Sequence, residues 1–413
     1  MTLKYFMFLC YLALLSMLAF IATDMYLPAF KAIESSLDAS ASQVAMSLTS
    51  FLAGLALGQL LYGPLVQRFG KRNSLLGGLA LFALATVCIG FSDNIIMLNC
   101  ARFFQAIGVC SAAVIWQALV VEQYDVKDSQ RIFSNIMPLV ALSPALAPIL
   151  GAKVLGHLGW EAIFFILAAT ALALMALTMV LVKPASEGSA KAEEKVAYKT
   201  FFNKTGYLGN VLIYGACSGA FFAYLTLWPI VMEQHGYQAD AIGLSFIPQT
   251  IMFIVGGYAS KLLIRRVGSE MTLKLLLALF GLCVLAIAVA TLIFKAQTIY
   301  PLLIAFSVLA AANGAIYPIV VNSALQHFSQ CASKAAGLQN FLQITLAFGA
   351  SSLVAVWATA GETAIAWGIL GCSVLVFAGY KLRQFADWSQ VRAGFTKPDP
   401  ARLALHAEET PKD

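Results

Sequence analysis

The sequence predicts an all-α polytopic membrane protein of twelve spans, set out as two six-helix halves. Three observations carry this. Of 413 residues, 60% are hydrophobic and only 11% charged, with a mean hydropathy of +0.82, whereas a soluble domain is about 25% charged. The apolar residues fall into runs of about 20, the length that crosses a bilayer as a helix. The lysines and arginines gather in alternate loops, as the positive-inside rule requires. The net charge of +6 is therefore read through its position along the chain, and it is not a nucleic-acid signal.

In order, spans are expected near 7–30, 43–62, 74–91, 95–121, 132–155 and 161–182, then near 207–231, 241–260, 272–293, 300–323, 335–358 and 364–382. The first run follows a basic Lys4, as in a signal peptide. It is too long for a signal peptide's apolar region and lacks a clean small-x-small cleavage site, so it reads as a retained span. Residues 183–204 hold Pro184, Gly188, three glutamates and five lysines and read as a surface linker. The expected units are thus 1–182, the linker 183–204, 205–384 and a polar tail 385–413.

With the N-terminus in the cytoplasm, the inner loops hold Arg68, Lys71, Arg72, Lys127, Arg131, Lys261, Arg265, Arg266, Lys274 and Lys334. The outer side holds Lys31, Lys153 and Lys295. Both termini are expected to be cytoplasmic.

The eight cysteines do not form a disulfide framework: seven lie in apolar runs, where a thiol behaves as a small hydrophobe, and Cys331 lies in a loop. The four histidines lie in loops, loop edges or the tail, with no metal-ligand spacing. The sequence carries no GxSxG, P-loop lysine or HExxH, so neither an enzyme nor a nucleotide-driven pump is expected. No cofactor is expected; the energy source is an ion gradient.

Two charges stand inside spans, Asp24 in the first and Arg102 in the fourth. A charge at membrane depth costs at least ~2.5–3.5 kcal/mol, so such residues are usually paired and functional. Counting 1.5 Å per residue from the outer ends of their spans puts both ~10 Å deep. Desolvation and a nearby arginine pull a carboxylate's proton affinity in opposite directions, so a change of exposure or partner can load and release a proton. The alternative is a static ion pair.

The halves also repeat one feature. Arg68-Phe69-Gly70 follows the second span and Arg266-Val267-Gly268 the eighth, each an arginine, one residue and a glycine. Parallel six-span repeats build one large transporter fold. Residues 63–72 resemble the G-x-L-x-D-R-x-G-R-R loop of the major facilitator superfamily through Gly63, Arg68, Gly70 and Lys71, with Gln67 where the family has aspartate. Arg102 with Gln105 and Gly108 resembles the family's buried-arginine motif, and Pro144, Pro148 and Gly151 its antiporter motif, in which the prolines bend the helix. Thr23-Asp24-Met25-Tyr26-Leu27-Pro28 is similar to the Bcr/CflA family of the drug-and-proton antiporter branch.

This resemblance implies two six-helix bundles, alternating access and a proton-coupling role for Asp24 and Arg102. It also implies that the loop carboxylate latches the outward-open state, a charge that Gln67 lacks. Stretches 108–120 and 312–321 resemble a purine nucleoside transporter of that family. On that resemblance the expected solute is a purine nucleoside, carried across a bacterial inner membrane by a monomer.

The candidate solute contacts are neutral: Gln105, Tyr214, Phe222, Tyr224, Gln249, Asn313, Tyr317, Gln339 and Gln343, with Asn340 and Trp228 nearby. Amides offer a donor and an acceptor together, and aromatics stack on a base. Each has a plainer reading as helix–helix glue, packing or an interfacial aromatic belt, which also fits Trp116. The rival readings are bicyclomycin-like multidrug efflux and, more remotely, a membrane receptor that binds without transport.

Overall fold

The computed structural model describes residues 3–123, 126–182, 198–295, 297–328 and 332–396. In chain order the helices are α1 (Leu3–Asp24), α2 (Phe30–Ser36), α3 (Ala41–Gly90), α4 (Ile95–Gln123), α5 (Val126–Leu158), α6 (Glu161–Leu181) and α7 (Tyr198–Phe202). There follow α8 (Thr205–Gln234), α9 (Ala239–Val267), α10 (Ser269–Ala288), α11 (Tyr300–Gln326), α12 (Ala332–Val356) and α13 (Glu362–Thr396). Among the described residues, ten helical stretches are long and apolar enough to cross a membrane. Dividing the 50-residue α3 at Gly70 adds an eleventh, and α5, apolar over Leu142–Leu158, is the twelfth long helix.

The division at Gly70 and the start of α10 carry the repeat seen in the sequence. Gly70 has φ 76° and ψ 163°, and Gly268 has φ 79° and ψ 165°. This corner of backbone space is open essentially only to glycine. Each half therefore turns its chain with the same conformation at the same place, two residues after an arginine. The second span begins at Ser40, whose side chain accepts from the Gln43 amide while the Gln43 side chain accepts from the Ser40 amide.

Three expectations need correction. The first span is not continuous to residue 30: α1 ends at Asp24, a turn follows, Leu27–Ala29 forms a 3-10 turn and α2 takes over. Pro28 is the cause, since it has no amide proton to donate to the Asp24 carbonyl and so cannot continue α1. The expected linker contains α7, whose Phe201 packs its ring 4.4 Å from Phe328 and 5.8 Å from Tyr207; residues 183–197 lie outside the described part. The expected tail boundary at 385 falls inside α13, which continues to Thr396.

The two ends of the bundle differ in charge. One carries Glu34, Asp38, Asp93, Glu161, Glu233, Asp240 and Glu362; the other carries Arg68, Lys71, Arg72, Lys261, Arg265, Arg266, Lys274 and Arg383. At the basic end Arg383 of α13 donates to Asn210 of α8 at 2.9 Å and pairs with Glu270 of α10, tying three helices of one half together. Arg72 donates to the Met179 carbonyl at 3.0 Å, fixing the Gly70 turn to α6.

The halves meet along α3 with α12 and α5 with α9. Their polar contacts lie toward the acidic end. Lys31 pairs with Glu233 at 3.1 Å. Ser42 donates to the Ala355 carbonyl at 2.6 Å. Thr49 shares a 2.8 Å hydrogen bond with Ser351, which shares another of 2.8 Å with Thr226. The Pro148 carbonyl lies 3.0 Å from where a Cβ on Gly243 would stand, so glycine permits the α5–α9 crossing. The bundle is therefore closed at its acidic end.

Gly268→Ala is expected to cost ~1–3 kcal/mol from backbone strain alone, because open space surrounds its missing side chain. Gly63→Ala, at an open helical position, is expected to be neutral or mildly stabilising. Thermal unfolding of the purified variants in detergent checks the contrast, and equal melting shifts would contradict it.

Candidate functional site

The break in α1 creates the charged centre. A helix end leaves its last carbonyls without amide partners and carries partial negative charge. Arg102, entirely buried on α4, donates from Nη1 to the Ala22 carbonyl in that last turn at 3.0 Å. Its guanidinium lies between two aromatic faces, 4.2 Å from the Tyr26 centroid and 4.2 Å from that of Phe51. Arginine's planar, weakly hydrated cation suits such a sandwich. Nη1 also donates to Gln105 Oε1 at 2.6 Å, and Gln105 Nε2 donates to Thr86 at 2.8 Å.

Asp24 is the last residue of α1 and is 4% exposed. It lies within electrostatic reach of Arg102, but no ion pair within 4.0 Å joins them among the described residues. The two residues share a depth, as the hydrogen bond from Arg102 to Ala22 requires. Arg102 is held instead by a helix end, an amide and two rings. Its Nε and Nη2 remain buried without hydrogen-bond partners. Tyr26 passes the contact on: its hydroxyl shares a 2.9 Å hydrogen bond with Ser47 of α3, two residues before Thr49 in the inter-half contact.

The neutral candidates divide into two groups. Tyr214 and Tyr317 meet edge to face at 4.8 Å, and Phe253 lies 5.7 Å from Tyr317. The Tyr317 hydroxyl shares a 3.0 Å hydrogen bond with Ser218, which accepts from Gln343 Nε2 at 2.8 Å. Tyr214, Tyr317 and Gln343 are half-buried. This cluster draws on α8, α9, α11 and α12. Gly215 and Gly219 of α8 let α12 approach closely enough for Gln343 to reach Ser218.

The second group is buried. Asn313 donates to the Cys217 carbonyl at 3.3 Å, and its Oδ1 is unpartnered, as are Gln249 Oε1 and Gln339 Oε1. Phe222 is half-buried with its ring 5.6 Å from Phe221, and Asn340 is half-buried on α12.

Two expected contacts are corrected. Gln105 is fully buried and uses its amide oxygen on Arg102 and its nitrogen on Thr86, so in this structure it positions the arginine. Tyr224 is fully buried in a stack between Phe306 at 3.6 Å and Trp228 at 4.7 Å, which leaves no ring face for a base. Trp228 is itself buried and donates to Ser245 at 2.7 Å, so it is not a belt residue, and Trp116 is also buried.

At the basic end the expected loop is helical up to the turn at Gly70: Gly63, Gln67 and Arg68 are exposed on α3, with Arg68 over the Phe69 ring at 5.3 Å, and Lys71 is half-buried. Pro144 and Pro148 lie within α5. Gly151 lies where α5 crosses the break in α1, and a Cβ there would meet the Met25 carbonyl at 1.7 Å. Sequence reading did not single out Ser218, Phe51, Thr49, Thr226 or Ser351. The spacing Gly215-x-x-x-Gly219 was the available signal for a close helix approach at Ser218.

A twelve-helix bundle in two repeated halves, closed at one end, with a buried charged centre in one half and a neutral polar cluster in the other, defines a secondary transporter. Residues 12–350 match the Major Facilitator Superfamily, and the chain belongs to that family. It is 27% identical over 359 residues to a bicyclomycin resistance protein homolog of Haemophilus influenzae, covering 85% of this chain and 89% of that one. It is 25% identical over 356 residues to the chloramphenicol resistance protein CraA of Acinetobacter baumannii, covering 84% and 85%. In fold it is similar to a bacterial homolog of the human lysosomal transporter Spinster, with a TM-score of 0.74 at 13% identity, covering 94% of this chain and 97% of that one.

Gln105→Leu is expected to destabilise the protein by ~1–3 kcal/mol, because it strips a partner from a buried arginine. Thermal unfolding measures this. A melting temperature equal to wild type would show that Gln105 does not hold Arg102.

Proposed function

We propose that the protein is a proton-coupled antiporter that exports small drug-like organic solutes from the cytoplasm across a bacterial inner membrane. The observation that carries the coupling is the charged centre: Asp24 and Arg102 are both buried at membrane depth, in one half, without a direct ion pair. A carboxylate that is not locked to a cation is free to exchange a proton when its surroundings change. Arg102 keeps its charge throughout. The solute class is supported by the relatives' names, bicyclomycin and chloramphenicol resistance.

The basic end faces the cytoplasm on the positive-inside rule, which puts both termini there. The closed acidic end is then the outer gate. Opening outward requires the Lys31–Glu233 pair and the hydrogen bonds of Ser42 and Thr49 to break while the halves rock about the central site. One chain suffices for this cycle, since it supplies both halves.

A second reading, transport of purine nucleosides, is favoured by the half-buried Gln343 amide, held by Ser218 near the Tyr214 and Tyr317 rings. Neither relative described above is named for nucleosides. Competition in proteoliposomes separates the readings. Drug export predicts that chloramphenicol moves and that excess adenosine does not inhibit it; the nucleoside reading predicts adenosine transport.

Asp24→Asn is expected to abolish accumulation driven by a pH gradient while leaving solute counterflow, which needs no net proton movement. Gradient-driven transport at the wild-type rate in this variant would remove Asp24 from the coupling step.

A further inference from the structure

Ser218 belongs to no motif and stands in a run of small residues, Gly215-Ala216-Cys217-Ser218-Gly219-Ala220. Its hydroxyl is nonetheless the node of the neutral cluster, bonded to Tyr317 at 3.0 Å and Gln343 at 2.8 Å. It lies ~20 Å along α8 from Thr205 and ~24 Å from Gln234, near the middle of the bundle, where transporters of this architecture hold their solutes.

The cluster has unused hydrogen-bonding capacity. Among the described residues the Tyr214 hydroxyl and Gln343 Oε1 make no hydrogen bond, and neither atom is among the sealed, unpartnered ones. Gln343 Nε2 is held by Ser218, which fixes the amide so that Oε1 is the free edge. Tyr317, held by the same hydroxyl, packs edge to face with Tyr214 and Phe253, and Tyr214 and Tyr317 both stay half-buried.

The site's charge selects further. Its side chains are all uncharged, and the described carboxylates of this half, Glu233, Asp240, Glu270 and Glu362, stand at helix ends. A cationic solute would find no counter-charge here.

We infer that Ser218, Gln343 and Tyr214 form the specificity element for a neutral solute that carries a hydrogen-bond donor and a flat ring. Gln343 Oε1 accepts from the donor, Tyr214 adds a second hydrogen bond, and the rings of Tyr214 and Tyr317 pack on the flat body. Ser218 is a positioning residue: it touches the amide and Tyr317, not the solute. This inference rests on the transport reading above and deepens it.

The test is equilibrium binding of radiolabelled chloramphenicol and adenosine to the purified full chain in nanodiscs. Wild type is expected to bind at least one of these probes. Tyr214→Phe, which keeps the ring and its packing, and Gln343→Leu are each expected to weaken that binding about five- to tenfold, the loss of one hydrogen bond. Ser218→Ala is expected to weaken it similarly, and Ser218→Thr, which keeps a hydroxyl, to restore part of it. Thr345→Ala, whose hydroxyl serves only its own helix, is the control and is expected to bind as wild type.

Absence of binding of both probes to wild type would overturn the inference. So would unchanged affinity in both Tyr214→Phe and Gln343→Leu. If binding follows the expected pattern but proteoliposomes transport neither probe, the transport reading fails while the site stands. If transport occurs and the variants bind as wild type, the site fails alone.

Discussion

Arg102 is held by the broken end of α1, and the arrangement of the N-terminal half follows from that contact. The cation needs compensation at membrane depth, where an uncompensated charge is costly. It takes a helix carbonyl, the Gln105 amide and two aromatic faces. Each partner constrains another element. The carbonyl at Ala22 requires α1 to end near there, Gln105 draws in Thr86 of the second limb of α3, and Phe51 fixes the first limb. Gly151, with no side chain, lets α5 cross the break.

The same contact changes how the two buried charges relate. A tight Asp24–Arg102 pair would be a static strut, and breaking it would leave an uncompensated charge at high cost. With Arg102 held by a carbonyl, an amide and two rings, Asp24 is not locked to it in an ion pair. Tyr26 links this centre to the contact between the halves, since it covers the guanidinium and bonds to Ser47, close to Thr49 where α3 meets α12. Charge is handled in one half, and the neutral cluster around Ser218 stands in the other.

Much of this was legible in the sequence because its physical cause is local. Apolar runs of span length mark the helices, and the pattern Arg-x-Gly marks the turns that Gly70 and Gly268 make with nearly equal φ and ψ. The three-residue spacing of Arg102 and Gln105 put them on one helix face, but whether the amide served a solute or the arginine depended on helix rotation, which spacing does not give. Pro28 signalled the end of α1; a continuous apolar run concealed it. Tyr224 looked like a stacking surface until its neighbours Phe306 and Trp228 were in place. The contacts Thr49–Ser351 and Ser42–Ala355 join residues about 300 apart in the chain and belong to one conformation, so no local pattern marks them.

The division of labour between the halves is tested most directly by recording proton and solute movement together, in proteoliposomes loaded with a pH-sensitive dye and challenged with an outward solute gradient. The account predicts that wild type moves protons inward as solute leaves, and that Asp24→Asn exchanges labelled solute without any dye response. Gln343→Leu is predicted to lower both fluxes in the same proportion. A dye response that persists in Asp24→Asn, or a proton flux in Gln343→Leu that stays at the wild-type level while solute flux falls, would contradict it.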